Sequence, residues 1–132
     1  MKPGKKTLIL LILCIVWTIL IFILCTMPSN SLPKIKIPLI DKAAHFGFFF
    51  VQSLLVSLLL RFGTKKRYRQ IVILSTLQVF FLGVIIELLQ THYFNRTGDL
   101  HDLIADILGG FYGALIFPHV SRLIKKKFKN YT

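Results

Sequence analysis

Eight residues could do chemistry together: Asp41, His45, Glu87, Gln90, Arg96, Asp99, Asp102 and Asp106. Carboxylates with a histidine can serve as general acid, general base or ligands to a hard or borderline divalent cation. Arg96 adds a phosphate-binding group. Asp41 and His45 stand at i and i+4, and Glu87 and Gln90 at i and i+3, so each pair shares a helix face. Asp99, Asp106, Gly110 and Gly113 fall on one stripe at helical spacing, with Asp102 and Gly109 beside it. Asp99 and Asp102 also suit a helix start, where exposed amides favour carboxylates. Glu87 one turn below a loop costs on the order of 1 to 3 kcal/mol unless paired or protonated. Its structural reading is a pair with Arg96 or a hydrogen bond to His45. Asp41 likewise reads as a helix-start anion, with Lys42 reaching the interface. Asp106 is not a cap, and so it needs a partner. Gly109, Gly110 and Gly113 read as a small-residue packing surface, usable within the chain or by a dimer.

The elements that must position these groups are membrane helices. The chain has 132 residues, 55% of them hydrophobic, and its apolar residues come in long uncharged blocks. The blocks at 8–26, 41–60, 71–91 and 100–118 are each long enough to cross a bilayer. The expected fold is all-α: a bundle of four transmembrane helices forming a single domain over 1–132. The first block lacks a small-x-small cleavage site and reads as a retained span rather than a signal peptide. Residues 28–38 and 92–98 read as loops, 61–70 as a basic linker and 122–129 as a basic tail.

The formal net charge is +12, but the bases cluster beside apolar blocks, a pattern of membrane flanks rather than nucleic-acid binding. Thirteen Lys and Arg lie in the N-terminus, the middle linker and the tail, against four (Lys34, Lys36, Lys42, Arg96) on the other side. The positive-inside rule then puts both termini in the cytoplasm. All five acids, with His45, His92 and His101, gather at the outer ends of spans two to four. Cys14 and Cys25 lie ~16 Å apart along one helix, too far for a disulfide.

These residues resemble a family. Asp41-Lys42-Ala43-Ala44-His45-Phe46 matches a DK-x-x-HF segment. Glu87-Leu88-Leu89-Gln90 matches E-x-x-Q. Arg96, Asp99, Asp102, Gly109 and Gly113 follow the R-x-x-D-x-x-D-x-x-x-N-x-x-G type of segment. The pattern is similar to the VanZ-like family of small bacterial membrane proteins and covers about residues 39–117. One position departs: the family commonly has asparagine where this chain has Asp106. Either the pocket binds a cation better here or Asp106 stays protonated. The family is named for a member linked to resistance to the glycopeptide teicoplanin. The resemblance therefore implies an envelope protein that modulates glycopeptide sensitivity.

Two functions follow from the residues. In the first, the outward pocket binds a lipid-linked cell-wall precursor, a related polyprenyl lipid or an envelope protein. The outer face is formally −1 with neutral histidines, so a phosphate needs Arg96, protonated His45 or a bridging divalent cation. In the second, the chain is an intramembrane enzyme acting on lipid head groups, with metal assistance. No nucleophile elbow and no HExxH motif supports it. A proton or ion pathway is disfavoured, because the acids stop halfway through the membrane and Gln52 and Gln78 beyond them do not make a continuous relay.

Overall fold

The computed structural model describes residues 4–27, 39–94 and 99–129. It contains four helices and, among the described residues, no strand: α1 (Lys5–Thr26), α2 (Ile40–Gly63), α3 (Tyr68–Tyr93) and α4 (Leu100–Lys129). All four are long and apolar enough to cross a membrane. Each begins or ends a few residues beyond its apolar block, because flanking Lys, Arg and Tyr keep apolar stems on the helix while their polar tips reach water. α1 leaves most of its surface open, including Ile9, Ile12, Ile15, Val16 and Ile19. In a bilayer those side chains face lipid.

The fourth helix departs from expectation. It does not stop at Pro118; the proline lies inside α4, and the basic segment after it is helical to Lys129. Pro118 lacks an N–H and so cannot bond to the carbonyl of residue 114, the position one turn back. The following turn is held by packing instead. Val120 and Ile124 rest on the cluster of Leu58, Ile71 and Phe117. Ser121 is buried and donates its hydroxyl to the Pro118 carbonyl at 3.0 Å.

α2 and α4 make the most extensive helix pair. Gly109 and Gly113 explain the closeness: a Cβ at either would run into the backbone carbonyl of Phe46 or Phe50 on α2. Gly110 faces α3, where a Cβ would meet the Val79 side chain. The glycines expected to pack helices are thus used inside the chain. A second cluster (Ile21, Cys25, Phe49, Val79, Leu82, Ile86) joins α1, α2 and α3 nearer the other end of the bundle. Trp17 locks α1 to α2 by donating Nε1–H to the Phe48 carbonyl at 2.9 Å. Deeper polar groups pair across helices. Ser57 donates to Ser75 at 2.8 Å, and Thr18 meets the Gln52 side-chain oxygen at 3.3 Å.

Candidate functional site

The N-terminal ends of α2 and α4 and the C-terminal end of α3 meet at one end of the bundle. Helix spacing puts Lys42 and His45 on the face of α2 that turns toward α4. The close glycine contact then brings Asp106 against His45. Asp106 Oδ1 lies 2.9 Å from His45 Nδ1, both side chains buried, Asp106 completely. The imidazole stacks on Phe49, one turn on, with centroids 6.4 Å apart and planes at 8°. Asp106 thus has the partner its depth demands, on another helix. Its second oxygen, Oδ2, is buried without a hydrogen-bond partner.

Glu87 reaches the same place from α3. Its Oε2 accepts the backbone N–H of Asp99 at 2.9 Å, so it secures the entry to α4. Its Oε1, like Asp106 Oδ2, is buried and unpartnered. His45, Glu87 and Asp106 each offer one ligand atom within 4.8 Å of the others. Asp41, His45 and Asp102 form a second such group, with Asp41 exposed. Ligands on opposite sides of one hard cation stand about 4 to 5 Å apart, so the spread suits a single ion. Two unpaired buried carboxylate oxygens cost several kcal/mol unless a proton or a cation satisfies them.

Asp99 and Asp102 are clamped by Lys42. Its Nζ lies 2.8 Å from Asp99 Oδ2 and 3.0 Å from Asp102 Oδ1. Asp99 also opens α4: its carbonyl accepts the N–H of Asp102, and its Oδ1 accepts the N–H of His101 at 2.9 Å and meets the His101 ring nitrogen at 2.8 Å. The Lys42 ammonium, aided by the His101 contacts, holds the Asp99 carboxyl well below the usual carboxylate range. Lys42 therefore turns inward to the acids rather than outward to the interface. The sequence pattern alone does not place Lys42 in the site. The available signal was its position three residues before His45, on the same face, beside a cluster of acids.

Gln90 and Glu87 share the end of α3 but not a neighbour. Gln90 is buried and donates its amide N–H to the Cys25 carbonyl, tying α3 to the last turn of α1. Arg96 lies outside the described residues, and with it the expected Glu87–Arg96 pair. Gly83 is a further residue the sequence did not single out. A Cβ there would stand 3.0 Å from Asp106 Oδ2 and 3.1 Å from Leu103 Cδ1, so glycine makes the room in which that oxygen sits. Beside Glu87, a cavity of about 240 Å³ runs between α3 and α4, lined mainly by apolar side chains such as Val84, Leu88 and Leu103 and bordered by Asp99.

Charge completes the picture. Among the described residues this end carries Asp41, Glu87, Asp99, Asp102 and Asp106 against one lysine, Lys42. Such a field attracts cations and repels bare anions. No curated protein matches the chain, and no solved structure matches it. The VanZ/LLP1 family profile matches residues 8–124, taking in all four helices and every site residue above. With that match over nearly the whole chain, and with the expected motifs meeting at one end of a four-helix membrane bundle, the protein belongs to the VanZ/LLP1 family.

Proposed function

We propose that the chain is a multi-pass inner-membrane protein of the cell envelope, with both termini cytoplasmic. Its outer pocket binds the phosphate or pyrophosphate of a polyprenyl-linked cell-wall precursor through a divalent cation held by His45, Glu87 and Asp106. The observation that carries this reading is the pair of buried, unpartnered oxygens, Glu87 Oε1 and Asp106 Oδ2, beside His45. A cation satisfies both oxygens and presents positive charge to a phosphate that the carboxylates alone would repel. The apolar groove between α3 and α4 next to Glu87 is suited to the start of a prenyl chain. Asp106 in place of the asparagine common in the family adds one negative charge to the ligand set. Sequestering such a precursor would alter sensitivity to teicoplanin-type glycopeptides.

The test is binding of undecaprenyl pyrophosphate to the full chain in nanodiscs, with and without a chelator. Binding that the chelator abolishes and Mg²⁺ or Zn²⁺ restores supports the reading. Binding that ignores chelation overturns the cation bridge. Labelling of cysteines introduced at Thr64 and Asn95 tests the orientation, which requires the two to react from opposite faces.

One observation supports an enzyme as the second reading. Three protein ligands leave open positions on a metal, as in catalytic centres that activate water. Turnover of the pyrophosphate lipid by purified protein, lost in Glu87→Gln, would establish it over simple binding.

A further inference from the structure

The opposite end of the bundle holds a second cavity, unrelated to the carboxylates. Here α2 ends at Gly63, α3 begins at Tyr68, and α4 runs past both beyond Pro118. Between them lies a cavity of about 450 Å³ whose rim carries Arg61, Lys66, Arg67, Arg122 and Lys125. No acid lies at this end, since all five are at the other. Five cations around one cavity repel each other, and an anion among them removes that repulsion. The cavity depends on the continuation of α4 through Pro118, because Arg122 and Lys125 reach it only as parts of a helix.

The floor is of a different character. Ile71 and Phe117 are buried beneath the rim, and Tyr68 stacks on Phe117 with ring centroids 5.6 Å apart. The first amides of α3, at residues 68–70, point toward this end without intrahelical acceptors, an arrangement that favours phosphate. A charged rim over an apolar floor, at the level where the membrane helices end, matches a group that is anionic at the head and apolar below.

We propose that this cavity binds a phosphate group carried by an anionic lipid headgroup at the membrane edge. Guanidinium groups supply paired donors to phosphate oxygens, lysines add point charge, and the floor accepts the first carbons below the phosphate. The site is independent of the outer pocket, at the far end of the same helices.

Native mass spectrometry of the full chain, released from nanodiscs of mixed phosphatidylglycerol and phosphatidylcholine, tests it. Wild type is expected to retain phosphatidylglycerol in preference to phosphatidylcholine. Arg122→Gln with Lys125→Gln should lower that retention about tenfold. Lys126→Gln with Lys127→Gln removes equal charge from the same helix outside the cavity and should leave retention unchanged. Both double variants alter exposed side chains, so folding is kept. Retention that persists in millimolar inorganic phosphate supports the lipid headgroup; displacement of the lipid by free phosphate overturns it. Equal losses in the two double variants, or no lipid preference in wild type, also overturn the proposal. Asp106→Asn should leave this retention unchanged, which separates it from any failure of the outer cation site.

Discussion

Gly109→Ala places one methyl group where α4 touches the backbone of α2. The added Cβ would overlap the Phe46 carbonyl oxygen and lie 2.9 Å from its carbon and 3.0 Å from the Phe46 Cα. Carbon atoms in unstrained contact stand about 3.5 to 4.0 Å apart. Every atom in the way is backbone, so no rotamer change relieves it, and the helices must part by roughly 1 Å. The His45–Asp106 contact is 2.9 Å and lies one turn away. Opened by about that amount, it falls outside hydrogen-bonding range. Overpacking costs about 1 to 3 kcal/mol. The lost buried hydrogen bond adds about 1 kcal/mol. The expected destabilisation is therefore about 2 to 4 kcal/mol. Reversible unfolding in mixed micelles measures it, followed by the fluorescence of Trp17, the single tryptophan. Gly47→Ala is the matched control, since a Cβ there meets nothing within 4 Å. If Gly109→Ala is tolerated as well as Gly47→Ala, the close α2–α4 contact does not hold the site together.

Gly83→Ala should weaken divalent-cation binding more than it lowers stability, because its Cβ crowds Asp106 Oδ2 at 3.0 Å while the neighbouring Leu103 side chain can move; calorimetric titration set beside an unfolding curve checks this. Ser57→Ala leaves the buried Ser75 hydroxyl without its partner and should cost about 0.5 to 1.5 kcal/mol. The double change with Ser75→Ala should recover most of that loss in the same unfolding assay. Asp99 carries a pH signature. Its folded carboxyl titrates below its unfolded value, so its stabilisation is present above the ordinary carboxylate pKa of about 3.9 and is lost as pH falls through the depressed folded value. The unfolding midpoint should therefore drop below about pH 4, and Asp99→Asn should remove that part of the drop.

Much of this was legible in the sequence, for identifiable reasons. A run of uncharged residues long enough to span hydrocarbon permits little besides a helix, so the four spans followed from hydropathy. Asp106 was readable as needing a partner because no terminus was near enough to serve it. The grouping of Asp41, His45, Glu87, Asp99 and Asp102 with it followed from span order, which returns alternate helix ends to one face. Other features depend on how the helices are rotated, and local spacing does not encode that. Gln90 follows Glu87 by three residues, yet the rotation of α3 sends it to α1 and Glu87 to α4. Lysines near helix ends ordinarily snorkel to the interface, whereas the α2–α4 approach puts two carboxylates within reach of Lys42. In the sequence, Pro118 and the basic density after it mask the apolar contacts of Val120 and Ile124 that carry α4 on to Lys129. Gly83 carries no signal until Asp106 is seen against it.

Whether His45, Glu87 and Asp106 hold one divalent cation is decided by cation binding to the metal-stripped protein. Wild type should bind one Mg²⁺, Mn²⁺ or Zn²⁺ per chain with saturation. Asp106→Asn should keep its fold and its contact with His45 yet bind at least about tenfold more weakly, the lower bound typical for losing a ligand or its support. Equal binding by the two proteins, or no saturable binding by wild type, would mean that these three residues do not hold a cation together.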